Sequence, residues 1–276
     1  QSVYDDVLEH VHRGHNSEDS KRSIQILRDL GFKINFHYMP GLPLTSRDRD
    51  VAGMKQLFSD EEYRPDMLKL YPCMVGPGTA LYYEWKQGKF KPISTDEAIE
   101  RIIEFKKVVP EYCRIQRIQR DVPTKYWEGG VDKTNLRQIL HEKKEFECRC
   151  IRCREPKGRE IGEVSLRVQE YNASNGKEFF ISLEDSNDFL VGFCRLRFPG
   201  EFLRGEITKS SALIRELHVY GTATAIGNEG LVQHKGFGKK LMEKAESISL
   251  DSGKDKMVVI SGVGVREYYK KLGYVK

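Results

Sequence analysis

Between residues 17 and 110 the chain switches repeatedly between a helical and a strand period, and few folds accept that order. "SEDSKRSIQILRDL" (17–30) places Ile24, Leu27 and Leu30 on one stripe, with Ser17 as its expected N-cap, acidic residues in its first turn and Gly31 as its stop. "FKINFHYM" reads as a strand with alternating faces, and "PGLPLTS" as a turn-rich loop. A second helix is expected over Asp48 to Phe58, a second strand over "LKLYPCMV" and a third helix over "STDEAIERIIEFKKVVP", capped by Ser94 or Thr95. Strands joined through helix-length connections are the mark of parallel βαβ units. The first ~130 residues therefore predict part of an α/β barrel or an open parallel sheet. A complete (β/α)8 barrel takes about 250 residues, so the expectation is its second half only.

From about residue 161 the texture changes. "EVSLRVQEY", "KEFFISLED", "FLVGFCRLRF", "SALIRELHVYG" and "KMVVISGV" read as strands separated by Gly, Asn, Asp or Pro turns. A helix, "GKKLMEKAESISL", lies between the last two, and a short helix, "VREYYKKLGY", follows. No internal repeat or low-complexity tract is visible.

The composition, 39% hydrophobic and 32% charged over 276 residues, suits about two folded domains. No apolar run approaches the ~18 residues of a membrane span, and no signal-peptide pattern opens the chain, so a cytoplasmic protein without a membrane partner is expected. The first residue is Gln, so the natural start is expected to lie upstream. Net charge is +5, but residues 101–160 hold 16 Lys and Arg against 10 Asp and Glu. A basic segment between balanced ones suits a polyanion such as RNA, or simply a solvated face.

Three of the six cysteines, Cys148, Cys150 and Cys153, lie within six residues. That spacing suits a metal better than a disulfide framework in a chain of this size. Cys-x-Cys-x-x-Cys offers three thiolates, whereas structural zinc usually takes four ligands. His141 or a residue elsewhere could be the fourth. Free thiols and an iron–sulfur cluster remain alternatives, and the basic linker context favours a structural zinc.

The turn "QHKGFG" opens the penultimate helix. A helix N-terminus offers unpaired N–H groups and partial positive charge, and glycines let a ligand approach closely, so the position suits a phosphate or pyrophosphate. The Gly-Lys-Ser/Thr ending of a Walker loop is missing, and a Gly-x-Gly turn also serves as a plain strand-to-helix connection. The order of strand (213–220), loop, Gln233-x-x-Gly236-x-Gly238, helix, strand (256–261) and short helix resembles the GNAT family of acetyl-coenzyme A dependent N-acetyltransferases. That resemblance implies pyrophosphate binding by Gln233, Lys235, Gly236, Phe237, Gly238 and Lys239, and pantetheine pairing along Leu217, His218 and Val219. It implies that Tyr268 or Tyr269 protonates the departing thiolate. Adjacent tyrosines on a helix cannot both face inward, so one is expected in the core and one at the site. Glu216 and His218 are base candidates that read equally as solvated strand residues.

Longer stretches narrow the resemblance. "IRELHVYG", "QHKGFGKKLMEKAE" and "VISGVGVREYYKKLGY", with "HYMPGLP", "LKLYP", "RIQRIQRDVP" and "CRCIRCRE", resemble the family of Elongator catalytic subunits, in its archaeal or bacterial form. The resemblance implies the C-terminal half of a radical S-adenosylmethionine α/β barrel (1–136), a basic cysteine-bearing linker with a zinc site (137–160) and a GNAT α+β domain (161–276). It implies placement of a carboxymethyl-type group on carbon 5 of the tRNA wobble uridine, with acetyl-coenzyme A, S-adenosylmethionine and a [4Fe-4S] cluster as cofactors. Other Elongator-type subunits are implied as partners. A lysine N-acetyltransferase is the alternative. The family's N-terminal cluster triplet has no counterpart here, so the chain is expected to be N-terminally truncated and to do no radical chemistry alone; it also stops short of a last family strand. For tRNA the candidates are Arg114, Arg117, Arg120, Lys125, Arg149, Arg152 and Arg154, because arginine's planar fork suits phosphate. Tyr126 and Trp127 could stack on bases. "HYMPGLP" follows a barrel strand, at the end where barrel sites lie, and His37 is expected near the radical site.

Overall fold

The computed structural model describes residues 1–119, 123–143, 146–221 and 236–275. They divide into two compact units: Gln1–Ser23 with Ile34–Cys153, and Ile24–Lys33 with Arg154–Lys276.

The first unit runs α1 (Asp5–His10), the start of α2 (Ser17–Asp29), β1 (Asn35–Tyr38), α3 (Arg47–Ser59), β2 (Met67–Leu70), α4 (Ala80–Lys86), α5 (Thr95–Lys106), β3 (Arg114–Ile118), α6 (Leu136–Lys143) and the first turn of α7 (Ile151–Arg154). Its strands form a parallel sheet in the order β1-β2-β3. The expected βα alternation is thus present, and the caps show why its helices start where they do. Asn16, one residue before the expected cap, bonds the Asp19 N–H at 2.9 Å, while the Asp19 carboxylate takes the Asn16 N–H at 3.0 Å. Ser46 caps α3, and Ser94, not Thr95, caps α5 in a reciprocal box with Glu97. Tyr38, Leu68, Leu70, Ile115 and Ile118 are buried, as are Met54, Leu57, Ile99, Ile102 and Phe105 on α3 and α5. Phe58 stacks on Phe105 at 5.6 Å. The register aligns His37, Lys69 and Arg117 across the three strands, and a slip after Leu68 leaves Gln116 as an extra residue in β3.

The second unit carries the rest of α2, then β4 (Val164–Ala173), β5 (Gly176–Asp185), β6 (Leu190–Phe198), β7 (Ser211–Val219), α8 (Phe237–Asp251), β8 (Lys256–Val259) and α9 (Arg266–Lys271). The sheet order is β4-β5-β6-β7-β8, antiparallel except for the parallel pair β7–β8. A parallel pair needs a crossover, and α8 lies in it. Leu241, Met242 and Ala245 of α8 are buried with Ile181, Leu183, Val191, Cys194, Leu196, Ala212 and Ile214. Among the described residues, no helix is long and apolar enough to cross a membrane.

Candidate functional site

In the second unit, β7 and β8 part company at one place. Their ladder pairs Ser211–Ile214 with Lys256–Val259, and β7 runs on to Val219 against β6. The β6–β7 register slips between Arg195 and Leu196, which leaves Arg215 as an extra residue in β7. A bulge bends its strand and raises the local twist, so the splay has a local cause. The bulge is anchored: the Arg215 guanidinium donates to Glu178 Oε2 at 2.8 and 3.2 Å and to the Phe32 carbonyl at 2.9 Å. A single arginine in the apolar run "SALIRELHV" was the only sequence signal for it, and sequence reasoning did not use it. Leu217, His218 and Val219 all lie beyond the bulge.

Helix α8 begins at Phe237 behind Gly236, whose φ of +71° is a left-handed conformation natural to glycine. No side chain caps that end among the described residues. Gly238 is needed for a different reason: a Cβ there would lie 2.6 Å from the Tyr268 hydroxyl. The second signature glycine thus makes room for a phenol from α9. Lys239 is exposed and reaches Glu243 at 3.7 Å. Gln233 and Lys235 lie outside the described residues.

The two tyrosines differ. Tyr269 packs against the sheet–helix core and meets Tyr274 edge-on at 5.9 Å; burial, with Cys194 and Tyr268 nearby, pushes its phenol up to about 12. Tyr268 keeps 38% of its surface exposed and turns its hydroxyl to the start of α8. Burial, and then Cys194, raise its phenol as well. A raised phenol holds its proton, as a donor must. The base candidates look less available. The Glu216 carboxylate takes Arg195 at 2.9 Å and Lys33 at 3.3 Å, and the exposed His218 ring lies between Phe193 and Tyr220 at 5.7 and 4.4 Å.

In the first unit, the sulfurs of Cys148, Cys150 and Cys153 lie within 4.8 Å of one another, which suits a single ion. Hydrogen bonds from Cys148 and then Cys153 hold the Cys150 thiol well below its usual range. His141, exposed on α6, is not in the group, and no fourth His, Cys, Asp or Glu joins it among the described residues. One neighbour escaped the sequence reading, Lys106, with Nζ 3.5 Å from Cys153 Sγ; the Arg137 guanidinium, on α6, is lowered by burial and then feels the charges of the cysteines. Cys73, Cys113 and Cys194 are buried outside the group. Among the described residues there is no second group of metal-ligating side chains.

The basic candidates separate. Arg114 and Arg117 sit on β3, and Arg117 shares a register row with half-buried Lys69 and exposed His37. His37 meets Tyr71 edge-on at 5.4 Å. Lys125 lies in the turn Thr124–Tyr126, its ammonium 5.1 Å from the centre of the exposed Tyr126 ring, and Trp127 is half-buried against Gly76. Arg149 pairs with Glu111 at 2.6 Å, and Arg152 is half-buried on α7. Arg154 departs from the expectation: it is 4% exposed and paired with buried Glu184 at 2.9 Å, so its charge is spent inside the second unit and not on a surface. Arg120 lies outside the described residues.

Against known proteins, residues 65–146 match the Radical_SAM C-terminal domain and residues 144–274 the Acetyltransferase (GNAT) family. A tRNA uridine(34) acetyltransferase of Methanocaldococcus jannaschii is 43% identical over 99% of this chain and 54% of its own length. The Elongator complex protein 3 of Homo sapiens is 40% identical over 99% and 53%. The chain thus spans about half the length of these curated relatives. The solved structure of the archaeal Methanocaldococcus infernus Elp3 with an N-terminal deletion superposes with a TM-score of 0.94 at 43% identity, over all of this chain and 68% of that one.

Proposed function

This chain belongs to the family of the tRNA uridine(34) acetyltransferases and Elongator complex protein 3, and on that premise we propose that it carries the acetyl-delivery machinery of a tRNA-modifying enzyme. Acetyl-coenzyme A binds with its pyrophosphate on the N–H groups at the start of α8 and its pantetheine arm along Leu217 to Val219, in the place β8 leaves. Tyr268 then gives its proton to the departing coenzyme A thiolate. A phenol above its ordinary pKa of about 10 stays protonated at neutral pH, and a thiolate of about 8.5 competes for that proton once formed.

The acceptor proposed is the wobble uridine of tRNA, at carbon 5. The row of His37, Lys69 and Arg117, with Arg114, Lys125, Arg149, Arg152 and the stacking surface of Tyr126, would hold the RNA. S-adenosylmethionine and a [4Fe-4S] cluster would supply the radical; no residue of this chain is assigned to the cluster. The cysteine triad is proposed to hold a structural zinc.

The observation that carries the reading is the Tyr268 hydroxyl over Gly238, at the mouth of the β7–β8 splay. The test is release of free coenzyme A from acetyl-coenzyme A, with and without tRNA, for the wild type, Tyr268→Phe and Tyr269→Phe. Release that depends on tRNA and falls with Tyr268→Phe is expected. Release that follows a lysine peptide and ignores tRNA would replace this reading with a protein acetyltransferase.

A further inference from the structure

We propose that Lys106 and Arg137 are the counter-cations of the cysteine triad, so that the pocket is built for a divalent ion held by three thiolates. The inference rests on the metal reading above but concerns residues that reading does not assign.

Lys106 ends α5 and is 1% exposed. Its ammonium lies 3.5 Å from Cys153 Sγ and 5.3 Å from the centre of the Phe146 ring. Arg137, near the start of α6, donates from Nη2 to the Ile115 carbonyl at 2.9 Å. Its Nη1 is buried and has no hydrogen-bond partner among the described residues. Burial lowers the Arg137 guanidinium most, and after it come the charges of Cys150, Arg152, Cys153 and Cys148. Neither cation pairs with a carboxylate among the described residues.

A guanidinium does not lose its proton in a protein, and a buried cation without an anion is costly. Three neutral thiols would offer these cations no negative charge. Three thiolates around a divalent ion carry a net charge of −1, beside both cations. Lys106 and Arg137 are therefore positioning residues: they act on the ion through the sulfurs, as the outer partners of metal ligands do.

The experiment uses the purified chain loaded with zinc. Metal content is read by elemental mass spectrometry, and the zinc dissociation constant by competition with a chromogenic chelator. The proteins are wild type, Lys106→Met, Lys106→Arg, Arg137→Met and Arg137→Lys, each with a melting temperature at saturating zinc. Wild type should retain one zinc. Each Met variant should bind it about 10- to 100-fold more weakly, and each charge-keeping variant should stay much closer to wild type. Unchanged affinity in both Met variants would overturn the inference while leaving the metal reading in place. Equal losses in the Met and charge-keeping variants would overturn it too, by pointing to packing instead of charge. A wild type that takes up no metal would overturn the metal reading itself.

Discussion

Two buried charge groups, one in each unit, are built differently. In the second, Asp29, Arg197, Glu178 and Arg215 form a chain of alternating sign: Arg197 donates to Asp29 Oδ1 at 2.7 Å and to Glu178 Oε1 at 3.0 Å, and Arg215 to Glu178 Oε2 at 2.8 Å. Remaining donors are used as well, with Arg197 bonding the Ala173 and Ser174 carbonyls and Asp29 taking the Gly200 and Glu201 N–H groups. Two acids and two bases leave that group neutral. In the first unit, Lys106 lies 3.5 Å from Cys153 Sγ, Arg137 bonds the Ile115 carbonyl, and neither pairs with a carboxylate among the described residues. A closed group is a part of the fold, whereas one short of negative charge marks the place where a ligand completes it. The closed group also has a task, because Arg215 is the bulge residue that starts the splay of β7 from β8.

The sharpest test of this contrast is to open the closed group. Glu178→Ala leaves Arg197 and Arg215 buried without their shared acid and should cost about 3–5 kcal/mol, read by urea unfolding; a loss near zero would mean that the cluster is not holding the unit. Next comes metal removal. At about 100-fold excess over its dissociation constant a ligand adds about 2.7 kcal/mol, so chelation should lower protection from hydrogen exchange in α5, α6 and β3. Strands β4 to β7 should be unaffected, and equal loss in both units would erase the contrast.

Tyr268→Phe should lower kcat for coenzyme A release by about 10²-fold or more with little change in KM for acetyl-coenzyme A, while Tyr269→Phe acts mainly on stability. The sign of the pH dependence follows from the raised phenol: the donor works while protonated, so activity is retained below the folded pKa and lost as pH rises through it, above the ordinary value of about 10. An alkaline limb well below that value would exclude Tyr268. The smallest effect is at the α5 cap. Ser94→Ala should cost about 1 kcal/mol. The Ser94 N–H lowers the Glu97 pKa, so this cap contributes stability above the unfolded carboxyl value, and the contribution fades as pH falls through the lower folded one. A thermal melt of the variant across pH 3–7 reads both.

Much of the fold was legible where neighbours along the chain suffice. The stripe of Ile24, Leu27 and Leu30 marked α2, although Leu27 turned out 44% exposed. Alternating apolar residues marked most strands of the second unit. The strand "RIQRI" was not marked, because its residues are mostly polar and its burial comes from β2 and the helices beyond it. Asn16 in place of Ser17 as the cap of α2 is a shift of one residue, inside the ambiguity of two adjacent capping side chains. Arg154 read as a surface arginine because nothing nearby in sequence announces Glu184, thirty residues on.

What the order of residues settles alone is local: which segments prefer helix or strand, which turn admits a positive φ at Gly236, and which thiols stand close enough to share an ion. Those properties depend on sterics and spacing over a few residues. Which tyrosine faces the α8 start, where β7 bulges, and that Lys106 meets a sulfur from elsewhere in the chain are matters of register and desolvation. They come from residues distant in sequence, and only packing brings those groups out of water together.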